Sequence, residues 1–257
     1  MGMKSFRIRQ MEQYILERDI VSMEELRDHF NISMNTVRLD VGELVGKGAI
    51  QKVYGGVCSL QKENLIPFTE RRLKNIQAKK AVGKAASALV ENGDIIYIDT
   101  GTTTMNMMEY LGGCSNVIVL TNNLDAINRA LPLTNLNVIC LPGILERKTN
   151  SFVSADTVRT LEKYNITKAF MASSGIAKSG IITNSSPLEY EIKKAAIASS
   201  KAVYLMIDST KYGNSALLTY ANISEMSKVI VDDAVDPELL KLCEINNVET
   251  LLAKPEE

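Results

Sequence analysis

Apolar positions follow two rhythms along the chain. Over residues 6–18, "FRIRQMEQYILER", Ile8, Met11, Ile15 and Leu16 fall at helical spacing. Asp19-Ile20-Val21 breaks that pattern. "SMEE" at 22–25 then reads as a capping box, with Ser22 capping a second helix and Glu25 reaching back. Leu26 and Phe30 give this helix an apolar face only two turns long. "NIS" at 31–33 predicts a tight turn, and Ser33 can cap a third helix that buries Val37, Val41 and Leu44, with Val45 beside them, and ends at Gly48. Beyond it Ile50, Lys52 and Tyr54 alternate with Gln51 and Val53, and Gly55-Gly56 supplies a hairpin turn. Three short helices and a β-ribbon have the dimensions of a winged helix-turn-helix, its two central helices at about 22–41.

From about residue 85 the texture changes to short apolar runs: 94–99, 117–121, 137–141, 168–173, 202–208, 228–232 and 248–253. Helical patterns at 103–111, 123–131, 156–163, 187–199 and 237–246 lie between most of them. Non-alternating strands separated by helices predict a mostly parallel sheet covered on both faces, an α/β domain. Such a sheet delivers the loops after its strands to one edge, where open α/β sheets bind ligands. The domain reading is therefore 1–60, a basic linker at 61–84, and 85–257. No repeat of fixed period interrupts it.

Bulk properties narrow the class. The 257 residues are 46% hydrophobic and 23% charged, with a net charge of −1. No apolar run approaches the ~18 residues of a membrane span. Charges enter every turn of the N-terminal stretch, which argues against a signal peptide, and the expectation is a cytoplasmic protein. Cys58, Cys114, Cys140 and Cys243 lack metal-ligand spacing; three of them lie in or beside apolar runs and read as small core residues. His29 is the single histidine, late in a short helix, so any His-dependent triad or zinc site would have to use it. Neither a metal nor a cofactor is expected.

Charge is unevenly placed. Residues 1–60 carry eight basic and eight acidic side chains, while residues 61–84 carry seven basic ones against two acids. The basic stretch reads equally as a solvated linker face or as a phosphate-backbone contact. On the third helix, Met34, Asn35, Thr36 and Arg38 would face a major groove: Asn suits adenine, Arg suits guanine or phosphate, and Thr can meet a thymine methyl. Ser22 and Ser33 at the helix starts, Lys47, and Lys52 and Tyr54 on the ribbon complete the candidate DNA face. A winged helix used for protein contacts is the competing reading.

A second constellation lies at the predicted strand ends. "DTGTTT", Asp99 to Thr104, joins a strand to a helix; Gly101 admits close approach, and Thr102, Thr103 and Thr104 offer backbone N–H groups and hydroxyls to a phosphate. A plain helix cap would look much the same. The loop has company: Thr121, Asn122 and Asn123 after the next strand, Gly143 after the third, Gly175 after the fourth, and Asp208 with Lys211 in "IDSTKYG". Glu189 and Glu191 lie on different sides of their helix, so at most one faces this edge. Their plainer role is surface charge, paired with Lys193 and Lys194.

Taken together these motifs resemble the DeoR-type bacterial transcriptional regulators, over essentially the whole chain. The N-terminal skeleton is Arg9, the Ser22–Phe30 helix, "NTVRLD" at 35–40, Leu44, Gly48 and "YGG" at 54–56. Leu39 stands where the family pattern usually has a second arginine, and Tyr54 where it usually has histidine. The C-terminal marks are Asp99–Thr103, Thr121–Asn123, Glu189-Tyr190-Glu191-Ile192-Lys193 and Asp208–Tyr212. "KYNITKAFMA", "TNSSPLEYEIKK" and "ALLTYA" are most similar to the repressors of myo-inositol catabolism within that family. The resemblance implies a ribose-5-phosphate isomerase-like, sugar-phosphate-binding domain. It implies operator DNA and a phosphorylated sugar or sugar-acid inducer as partners, a homo-oligomer, and no membrane. Ser173-Ser174-Gly175 departs from the usual Ala-Asp-Gly, so the carboxylate that would shuttle a proton beside a sugar is missing there. An isomerase-like enzyme carrying a winged helix is the rival reading.

Overall fold

The computed structural model describes residues 3–16, 18, 20–47, 50–53, 56–59 and 68–255. The chain divides into two compact units, Met1–Leu65 and Ile66–Glu257. Gly48, Tyr54 and Gly55, expected above as a helix end, a phosphate contact and a turn, lie outside the described residues, as does the side chain of Leu16.

The first unit runs α1 (Met3–Leu16), β1 (Ile20–Ser22), α2 (Met23–Phe30), α3 (Met34–Gly46), β2 (Ile50–Val53) and β3 (Gly56–Ser59). Strands β2 and β3 pair antiparallel, and β1 adds to the free side of β3. The apolar positions read from the sequence converge in one core: Ile8, Met11 and Ile15 meet Leu26, Val37, Val41 and Leu44, with Val21, Ile50 and Val57 from the strands. Ser22 Oγ accepts from Glu25 N at 3.0 Å, and Ser33 Oγ accepts from Thr36 N at 3.2 Å, so both N-caps form. The Glu25 carboxylate does not close the capping box. It accepts from the Tyr14 hydroxyl at 3.1 Å, a tertiary contact. Arg7 grips the buried Asp40 with both Nε (2.7 Å) and Nη2 (3.2 Å), which fixes α1 against α3. His29 stacks on Tyr14 at a centroid distance of 3.8 Å.

The second unit opens with two helices, α4 (Phe68–Leu73) and α5 (Ile76–Ser87), where a linker was expected. Val82 and Ala86 of α5 and Phe68 of α4 are buried in its core, so most of the basic stretch belongs to this unit. There follow β4 (Ile95–Ile98), a 3-10 segment (Thr104–Tyr110), β5 (Val117–Thr121), α6 (Leu124–Ala130), β6 (Leu136–Cys140), β7 (Ile144–Glu146), β8 (Ser151–Val153), α7 (Ala155–Leu161) and β9 (Ile166–Met171). Then come β10 (Gly175–Ile176), β11 (Ile181–Asn184), α8 (Pro187–Ala198), β12 (Ser200–Ile207), β13 (Leu218–Asn222), β14 (Lys228–Asp232), α9 (Pro237–Ile245) and β15 (Glu249–Ala253).

Seven strands form one parallel sheet in the order β15-β14-β12-β9-β4-β5-β6. Alternate residues enter different cores. Tyr97, Met171, Leu205 and Val231 pack with α7, α8 and α9, whereas Ile96, Ile98, Phe170, Met206 and Ile230 pack with α5, α6 and the 3-10 segment. Burial on both faces explains the continuous apolar runs. The small antiparallel sheets, β7-β8 and β10-β11-β13, were not anticipated, because strands of two to five residues carry too little periodicity. Cys243 is buried and Cys114 half-buried, but Cys140 is exposed rather than in the core, at the end of the edge strand β6. No helix among the described residues is long and apolar enough to cross a membrane.

Candidate functional site

Strand order reverses at β4. From β4 the chain steps to β5 and β6 on one side, then returns to place β9 on the other. The loops after β4 and β9 therefore diverge from neighbouring strands and leave a crevice at their carboxyl ends, the usual ligand position in such sheets. A pocket lies there. Its lining comes from Thr100, Gly101, Thr102 and Thr103 after β4, and Ala172, Ser173 and Ser174 after β9. Asn184 ends β11, Glu189 and Lys193 come from α8, Lys211 from the loop after β12, and Arg71 from α4.

The β4 loop is stiffened from within. Thr104 Oγ1 donates to Asp99 O (2.7 Å) and accepts from Gly101 N (3.1 Å). A Cβ on Gly101 would sit 2.2 Å from Ala172 Cβ, so only glycine lets the two loops touch. Among the described residues the backbone N–H groups of Thr100, Thr102 and Thr103 meet no acceptor. The segment that follows is a 3-10 turn rather than the expected α-helix, so the cradle rests on individual N–H groups more than on a helix dipole. Ser173 adds a further open valence: among the described residues its Oγ is a buried side-chain oxygen without a hydrogen-bond partner. Such a group costs about 1–3 kcal/mol until a partner arrives, and a ligand hydroxyl would be one.

The other expected effector residues divide. Gly101, Thr102, Thr103, Glu189 and Lys211 line the pocket. Asp99, Thr104, Thr121, Asn122, Asn123 and Asp208 are buried behind it. Asn123 caps α6 through Ala126 N (3.2 Å) and holds Asp99 O (3.2 Å) and Gly101 O (3.3 Å), which braces the loop from below. Thr121 Oγ1 donates to Ile98 O at 2.6 Å, and Asn122 Oδ1 accepts from the Tyr97 hydroxyl at 3.0 Å. Gly143 lies against the Val153 backbone and Gly175 against Asn214. Asp208 accepts from Asn75 Nδ2 at 3.1 Å and ties its loop to the α4–α5 corner.

Of the two glutamates, Glu189 is buried and Glu191 exposed. Glu189 accepts from Ser151 Oγ (3.0 Å) and Asn184 Nδ2 (3.5 Å). Lys193 is not its surface partner. Lys193 is 2% exposed, and its ammonium donates to Ala172 O at 3.0 Å and pairs with Asp99. Arg71 and Asn184 were not marked as ligand contacts in the sequence, since each reaches the pocket only through the tertiary fold, and Lys193 stood out there only within the mark at 189–193 and as a surface partner. Burial lowers the basicity of Arg71 and Lys211, and pushes the Lys79 ammonium, which bonds the Arg71 carbonyl, down to about 8. Cations desolvated around a cradle of N–H groups suit an anion.

In the first unit Asn35, Arg38 and Leu39 are exposed on α3, with Met34 and Thr36 half-buried. Spacings of three and four put Asn35, Arg38, Leu39 and Gly42 on one face. Leu39 is 65% exposed on it. Lys47 and Lys52 are exposed, and the Ser22 and Ser33 hydroxyls are engaged as caps.

A winged helix-turn-helix and a parallel α/β unit with an anion-suited pocket define a regulator that binds DNA and an effector. Residues 7–63 match the DeoR-like helix-turn-helix domain, and residues 74–233 match the DeoR C terminal sensor domain. The chain is 43% identical over 251 residues to the HTH-type transcriptional regulator IolR of Bacillus subtilis (strain 168), across 98% of this chain and 100% of that one. It is 26% identical over 220 residues to the glycerol-3-phosphate regulon repressor of Escherichia coli (strain K12), across 86% and 87%. Among solved structures, ribose 5-phosphate isomerase A from Methanocaldococcus jannaschii aligns over 54% of this chain and 55% of that chain, with 16% identity and a TM-score of 0.40. The chain belongs to the DeoR family of helix-turn-helix transcriptional regulators. The isomerase reading gives way to that membership.

Proposed function

We propose that this regulator represses a carbohydrate catabolic operon and leaves its operator when a phosphorylated sugar or sugar acid fills the pocket. The observation that carries the reading is the crevice itself. Thr100, Thr102 and Thr103, whose N–H groups have no acceptor among the described residues, line the same space as Arg71 and Lys211. The phosphate sits on the threonine loop, while Glu189, Asn184 and the Ser173 hydroxyl meet the hydroxyls of the sugar.

Inositol breakdown is the proposed pathway. Support comes from the segments at 163–172, 183–194 and 216–221, and from the 43% identity to IolR. Release is a linkage effect: the inducer favours the DNA-free arrangement, and a ~100-fold drop in operator affinity needs only ~2.8 kcal/mol of difference. The DNA-binding form is a homo-oligomer, as palindromic or repeated operators require.

The deciding experiment is a DNA-release screen. The purified chain on the promoter DNA of its own gene cluster is challenged with phosphorylated sugars and phosphorylated inositol-breakdown intermediates, beside their unphosphorylated forms. Release by a phosphorylated compound alone supports the reading. Equal release by the unphosphorylated forms refutes it.

A further inference from the structure

The pocket offers about 30 Å³, room for two or three water molecules but not for a sugar phosphate. A sugar phosphate enters only if a wall moves. Most of the walls are poorly placed to do so. The threonine loop is locked by Thr104 and Asn123, and the Ala172 turn is held by Asp99, Lys193 and the Tyr220 hydroxyl. Asn184 and Glu189 are tied to each other, and the loop that carries Lys211 is held by Asn75 on Asp208 and by Ser209 N on Asp232, which leaves α4.

Helix α4 is six residues long, too short to hold its own shape. It is anchored by the buried Phe68 ring, by Phe68 N to Lys148 O at 3.2 Å, and by the Lys79 ammonium on the Arg71 carbonyl. The Arg72–Asp125 pair is long, at 3.8 Å, and exposed on the arginine side, so it adds little. Arg71 of this helix lines the pocket together with Thr100, Gly101, Thr102 and Thr103, and its guanidinium lies 5.6 Å from the Phe68 ring centroid. Its guanidinium is a planar fork suited to a phosphate or carboxylate. The sequence of α4 begins only nine residues after the last strand of the DNA-binding unit, Gly56–Ser59.

We infer that Arg71 is an anion-binding residue, and that a bound anion re-seats α4 through it. This rests on the pocket reading above. Occupancy is thereby reported at the point where the chain arrives from the DNA-binding unit. Without Arg71 an anion still meets the threonine loop, but α4 does not respond to it.

Hydrogen exchange of the full chain, in inorganic phosphate against chloride at matched ionic strength, tests both claims. In the wild type, exchange slows about tenfold in peptides covering 68–75 and in those covering 100–106. Arg71→Ala binds phosphate about tenfold more weakly, and at saturation slows only 100–106. Arg71→Lys, which keeps the charge but not the fork, shows the same split if the alanine variant folds poorly. Arg72→Ala on the same helix behaves as wild type. Slowing at 100–106 alone in the wild type overturns the Arg71 inference and leaves the pocket reading standing. Slowing at neither segment overturns both.

Discussion

Lys193 and Asp99, 94 positions apart, form a buried ion pair at the base of the pocket, 2% and 1% exposed. The carboxylate also accepts from Ala172 N at 2.8 Å, and the ammonium donates to Ala172 O at 3.0 Å. These two charges therefore clamp the loop after β4 to the turn after β9. Lys193→Met strands the carboxylate in the interior and is expected to cost about 3–5 kcal/mol. Chemical denaturation of the full chain reads this directly, and a loss below about 1 kcal/mol would dismiss the clamp.

The exposed face of α3 carries its own expectation. Arg38→Ala should lose about 1–3 kcal/mol of operator affinity with no change in unfolding midpoint. Leu39→Arg adds a cation beside it and should steepen the slope of log affinity against log salt by about 0.9. Anisotropy titrations at several salt concentrations measure both. Unchanged affinity in the first variant removes α3 as the reading helix.

Thr102→Ala combined with Thr103→Ala should bind operator as the wild type does and fail to release it. The compound to use is whichever phosphorylated sugar frees the wild type. Release of the double variant at the wild-type concentration would take the phosphate off the threonine loop.

Lys79 predicts a pH dependence. Its ammonium is pushed by burial from 10.5 down to about 8, so between these values the unfolded chain holds a proton that the folded chain has lost. Stability therefore rises with pH across that window, and below about 8 the full cost of burying the charge is present. Lys79→Met removes that cost together with the bond to the Arg71 carbonyl. Its stability relative to wild type should fall as pH is raised from about 7 to about 10. A difference that stays flat with pH would contradict the assignment.

The inner strands of the large sheet were legible because they are buried on two faces and so read as unbroken apolar runs. The runs at 117–121 and 228–232 coincide with β5 and β14 to the residue. Helix α5 was missed because its buried face is built from Ala81, Val82 and Ala86 amid lysines, a weak apolar signal that reads as solvated. Lys193 was misread for a related reason. Its helical neighbours are glutamates, and local spacing outweighs a partner on another strand until the chain is folded.

The sequence by itself determined the winged helix-turn-helix, the parallel sheet, the threonine loop and the family, because caps, periodicities and motifs are local. Only the tertiary structure decided which residues share the pocket. It brought Arg71 from α4, Asn184 from β11 and Lys193 from α8 to one loop, and set Thr121, Asn122 and Asn123 behind that loop as its support. Those distinctions depend on where the strand order reverses and on which side of each loop the helices pack, and such long-range packing leaves no period in the chain.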